Sequence, residues 1–127
     1  MISHIKTSKI NKEKVSQLTR RLALGAENTI ARMALTYSLS KDRSMDLGEI
    51  QDAGGKEYAK SVLFGNHYEF YTGMVCVHYG IHSSSPDLGK YIKMHIDDGL
   101  ELLDQELQSR SNVDAFDFIK EKMLSIL

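Results

Sequence analysis

The chain has 127 residues, a net charge of −1, one cysteine and one proline. That length fits one domain, 1–127, whose core needs no staples, because a chain of this size buries roughly two-thirds of its unfolded surface. The lone Cys76 excludes an internal disulfide, and no stretch reaches the roughly 20 consecutive apolar residues of a membrane helix. No apolar leader is visible, so the expectation is a soluble, cytoplasmic protein. The near-neutral total hides a split. Residues 1–43 hold nine Lys/Arg against three acids, and residues 44–127 hold seven against fourteen. A basic segment, 1–43, therefore precedes an acidic helical one, 56–127.

The first element is a strand candidate, His4 to Ser8, whose alternation puts His4, Lys6 and Ser8 on one face and Ile5 and Thr7 on the other. Asn11 is the expected N-cap of a helix carrying Val15, Leu18 and Leu22 as its apolar stripe. Gly25 is expected to stop it. A second helix follows, with Ile30, Met33, Ala34 and Tyr37 on one side. A short strand before a helix pair is the layout of ribbon-helix-helix proteins.

Lys41 to Gly55 reads as a polar connector, and Lys56 to Gly65 as either a strand or an irregular packed segment carrying Tyr58, Val62 and Phe64. A helix is expected from His67 to Tyr79, with Tyr68, Tyr71 and Val75, and toward its end His78, on one side and Gly80 at its end. Ser85 and Pro86 then signal a helix start. Its stripe is Leu88, Ile92, Ile96, Leu100, Leu103 and Leu107. Gly99 inside it costs about 1 kcal/mol against alanine, which a contact excluding any side chain would explain. Ser111 or Asn112 is the expected cap of a last helix, with Val113, Phe116, Ile119, Met123 and Leu127 inward. Composition and order together predict a mainly α fold: a short N-terminal strand, a helix-turn-helix pair and further packed helices.

Gln17 to Arg21, Gly25, Asn28 to Ala34 and Ser38-Leu39 resemble the opening motif of the DndE family, the small subunit of the bacterial DNA phosphorothioation system. Gly55 to Tyr58, Leu63 to Gly65 and His95 to Leu100 match the family's later segments in the same order. The resemblance runs from about Thr7 to about Leu103. The family turn Thr-Gly-Leu-Thr-Pro-Asn is here Leu24 to Asn28, one residue shorter and without its Thr-Pro. The resemblance implies a homo-oligomer, a tetramer, that binds DNA, including nicked duplex, and docks on the system's other subunits without catalysing the sulfur chemistry itself.

Lys6, Lys9, Lys12, Lys14, Arg20 and Arg21 are the candidate DNA-binding residues, since clustered cations neutralise phosphates and release counterions. The competing account is an ordinary solvated lysine face. Gly25, Asn28 and Arg32 are assigned to oligomer contacts or internal structure. Arg32, beside apolar neighbours, suits either a phosphate or a carboxylate from the acidic segment. His78 and His82 have the spacing of a helical metal pair, but Gly80 between them argues against one helix, so no metal and no cofactor are expected. His95 and Asp98, one turn apart, fit a hydrogen bond on a helix surface. Asp52 to Glu57 lacks the first glycine and the Ser/Thr of a phosphate loop. Cys76 is expected in the core. A ribbon-helix-helix transcriptional regulator is the alternative function, and a metal-dependent DNA nickase ranks last.

Overall fold

A computed structural model describes residues 3–23 and 25–109, together with Asp117, Phe118, Glu121 and Leu124. Strand β1 (His4–Lys6) leads into α1 (Lys9–Leu22) and α2 (Glu27–Ser40). A 3-10 turn (Leu47–Glu49) and strand β2 (Glu57–Ala59) follow. The chain continues through α3 (Lys60–Phe64), a second 3-10 turn (Gly65–His67), α4 (Tyr68–Tyr79) and α5 (Leu88–Gln108). Asp117, Phe118, Glu121 and Leu124 are helical, and Phe118 is buried. The expected last cap and the stripe Val113, Phe116, Ile119, Met123 and Leu127 lie outside the described residues.

The fold is mainly helical. Its two strands form one small antiparallel sheet, with Ile5 opposite Tyr58 and Lys6 opposite Glu57. The segment left open between strand and coil is thus β2 followed by a single helical turn. Tyr58 and Phe64 point inward, while Val62 stays 57% exposed. The strand predicted to Ser8 ends at Lys6. Ser8 is buried rather than sharing the exposed face of His4 and Lys6.

α5 is the spine. All six residues of its stripe are buried, and it packs along α2 and α1. Helices α2 and α5 cross at Gly99, where a Cβ would lie 1.9 Å from the Ala34 carbonyl oxygen. Only a residue without a side chain lets the backbones meet this closely. Ser85 does act at the start of α5, its Oγ accepting from the Asp87 N–H at 3.2 Å. Residues 86 and 87 form a turn, so the helix proper opens at Leu88. Cys76 is half-buried at the margin of the core, not within it.

Candidate nucleic-acid interface

Helix α1 has two sides because its residues have two destinations. Val15, Leu18 and Leu22 are buried. Residues 9, 12, 13, 16 and 20 fall on the opposite side of a 3.6-residue helix. There Lys9, Lys12 and Arg20 line a shallow groove with Ser16 and Glu13. Lys6, Lys9, Lys12, Arg20 and Arg21 are exposed, and Lys14 is half-buried. Lys14 and Arg21, two turns apart, do not line the groove and lie on a side of the helix nearer the buried stripe. Lys6 stands on β1 just before it. Glu13 is the one acid of α1 itself.

The start of α1 is held by carboxylates from far along the chain. Asp97 Oδ1 accepts from the Ser8 N–H at 3.0 Å, and Asp52 Oδ2 from the Lys9 N–H at 2.9 Å. These acids occupy the positive end of the helix dipole. Hydrogen bonds from the Lys9 and Gly54 backbones hold the Asp52 carboxyl below its ordinary range. Asn11 is therefore not the N-cap. With the first N–H groups satisfied from elsewhere, the helix opens at Lys9, and Asn11 lies buried inside its first turn, its Nδ2 donating to Asp97 Oδ1 at 2.7 Å. Lys93 closes the cluster, reaching Asp97 Oδ2 at 2.7 Å and the Asp52 carbonyl at 2.8 Å. The stretch that faintly suggested a phosphate loop is a docking segment for α1: a Cβ at Gly55 would sit 2.1 Å from the Ser8 carbonyl oxygen.

At its other end α1 stops at Leu22, three residues before Gly25. Ala23 takes the left-handed cap conformation and its N–H reaches the Thr19 carbonyl. Gly25 sits in the turn itself with φ +89°. Asn28 and Arg32 then act as one device. Asn28 Nδ2 donates to the Val62 carbonyl at 2.9 Å, and an Arg32 terminal nitrogen to the Leu63 carbonyl at 3.2 Å. The last carbonyls of a helix as short as α3 have no partner within it. Two donors one turn apart on α2 supply them. Arg32 also reaches Thr29 Oγ1 at 3.4 Å. Among the described residues its partners are neutral oxygens and not a carboxylate.

His78, His82 and His95 each bond within the chain. His78 bonds the Arg43 carbonyl, and His82 Nδ1 accepts from the Ser84 N–H. Gly80, with φ +64°, ends α4 between them. Among the described residues no group of three His, Cys, Asp or Glu is placed to hold a metal ion. His95 is fully buried and does not touch Asp98 directly, as a helix-surface pair would. Ser38 stands between them, its Oγ 2.8 Å from His95 Nδ1 and donating to Asp98 Oδ2 at 2.6 Å. Arg43 pairs with the same carboxylate, and Tyr79 OH meets His95 Nε2. Burial, and then the neighbouring His78, push the His95 pKa down to about 4. An enclosed imidazole whose two nitrogens are both engaged ties α2, α4 and α5 together.

The family model for the DNA sulphur modification protein DndE matches residues 4–111. The chain belongs to the DndE family. That span runs from β1 through α5 and takes in both the basic groove and the clamp of Asn28 and Arg32. The crystal structure of DndE from Escherichia coli B7A, involved in DNA phosphorothioation modification, superposes with a TM-score of 0.66 at 16% identity. The match covers 81% of this chain and 98% of that one, and at this identity it shows the shared fold. No curated protein matches the chain. Among the described residues no helix is long and apolar enough to cross a membrane.

Proposed function

We propose that this chain is a non-catalytic, DNA-binding subunit of the phosphorothioation machinery in the cytoplasm. It binds duplex DNA, including nicked duplex, through Lys6, Lys9, Lys12, Lys14, Arg20 and Arg21. The observation that carries this reading is the side of α1 opposite the core. Lys9, Lys12 and Arg20 line one groove there with Glu13 as the one lining acid, while Glu27 reaches Ser16 at its side and Asp52 the Lys9 N–H at its end.

The proposal includes self-association, to a tetramer. One protomer of net charge −1 attracts DNA weakly, whereas several basic segments held together bind by multivalency. A ribbon-helix-helix arrangement within the oligomer would use the remaining edge of β1, since β2 of the same chain already takes the other. The acidic segment is left to meet the other subunits of the system.

The test is charge reversal. Lys6→Glu/Arg20→Glu/Arg21→Glu is expected to lose binding to intact and nicked duplexes in a mobility-shift titration while keeping the wild-type circular dichroism spectrum. A folded triple variant that binds as well as wild type would show that α1 is an ordinary solvated face.

A further inference from the structure

A second cavity lies away from α1. It is an open cleft of about 1090 Å³ between α4 and the start of α5, with β1 and α3 at its rim. None of the six proposed DNA-binding cations lines it. We propose that this cleft is a second anion site, one that takes a phosphate ester of nucleotide size.

Its polar groups are mostly donors and come from separate elements. Lys60, on α3, is held with its ammonium 3.9 Å from the centre of the Tyr68 ring. Lys90 lies in the first turn of α5. His82 lines the connector between α4 and α5, and because its Nδ1 accepts from the Ser84 N–H, the neutral ring carries its proton on Nε2. The backbone N–H groups of Gly89 and Lys90 have no acceptor among the described residues, and both residues line the cleft at the positive end of a 21-residue helix. Glu69 is the one carboxylate on the wall. Asp87, outside the wall, pairs loosely with Lys90 at 3.6 Å, and Glu57 lies 3.9 Å from His4 at the rim. Pockets that hold small organic ligands measure about 300–1,000 Å³, so the space suits a nucleotide rather than a bare phosphate ion.

Cys76 lines this cleft and is the single thiol of the chain, which makes the site directly testable. The rate of Cys76 alkylation by iodoacetamide is measured at constant ionic strength with deoxyadenosine 5′-monophosphate, with deoxyadenosine, and with a 5′-phosphorylated trinucleotide. Phosphate-bearing probes are expected to slow alkylation at least threefold and saturably, and deoxyadenosine to leave it unchanged. Stronger protection by the mononucleotide identifies a free nucleotide as the ligand, and stronger protection by the trinucleotide a nucleic-acid strand. Lys60→Glu/Lys90→Glu, and the milder Lys60→Gln/Lys90→Gln, are expected to abolish protection, while Arg20→Glu/Arg21→Glu keeps it. Calorimetric titration with the same probes reads binding without thiol chemistry and is expected to rank the variants alike. Neither protection nor heat at millimolar nucleotide, equal protection by deoxyadenosine, or protection that survives both lysine pairs would overturn the proposal. Each of these results leaves DNA binding by α1 untouched.

Discussion

Gly99 of α5 lies against Ala34 of α2 so closely that a methyl group at 99 would sit 1.9 Å from the Ala34 carbonyl oxygen. Intrinsic propensity favours alanine over glycine in a helix by about 1 kcal/mol. The crossing reverses that preference, because main chain cannot yield as a flexible side chain does. Gly99→Ala is expected to destabilise the protein by about 1–3 kcal/mol or more, measured as a lower urea midpoint. A midpoint at or above wild type would mean that the helices are less closely apposed than described.

Lys93 and Asp97 form a buried pair that ties α5 to the start of α1. Lys93→Met removes one charge and leaves the other buried. A loss of about 3–5 kcal/mol is expected, with the amides at the start of α1 losing hydrogen-exchange protection first. Full retention of stability would show that the Ser8 and Asn11 hydrogen bonds alone satisfy Asp97.

The His95 pKa is lowered to about 4, below the usual 6.5 of the unfolded chain. Between those values the unfolded state binds the extra proton. Stability from this residue is therefore complete above about pH 6.5 and is lost as pH falls toward 4, by roughly 3 kcal/mol in all. Denaturant midpoints measured across pH 4 to 7 are expected to fall toward acid in wild type. In His95→Gln they should start lower and flatten. A parallel decline in both proteins would assign the acid sensitivity to other groups.

Much of the fold is legible in the sequence because it follows local periodicity. The stripe of α5 from Leu88 to Leu107 and that of α1 from Val15 to Leu22 repeat at helical spacing, and burial follows. The crowding of cations on and before α1 is legible too, from charge counted by segment. What escapes reading is chemistry across long separations. Asp97 reaches Ser8 over 89 residues, and no local pattern announces it. The same distance effect moves the expected cap from Asn11. Arg32 is conspicuous in the sequence, but its acceptor is not, since the Leu63 carbonyl is main chain and every residue type supplies one. Ser38, His95 and Tyr79 meet only once α2, α4 and α5 have packed.

The placement of Arg32 separates structure from binding. Arg32→Ala leaves the Leu63 carbonyl without its donor and is expected to cost about 1–3 kcal/mol of stability. At temperatures where it remains folded, the salt dependence of its DNA binding should match wild type. A shallower salt slope would make Arg32 a phosphate contact.

The central claim is that α1 meets the DNA backbone through its cations, and the most direct measurement is the affinity of the wild-type protein for intact and nicked duplexes across a salt series. Each phosphate contact contributes about −0.9 to the slope of log affinity against log salt on B-DNA. Wild type is expected to give a steep slope that becomes shallower in Lys6→Glu/Arg20→Glu/Arg21→Glu. A flat slope in wild type, or one unchanged in that variant, would contradict the claim.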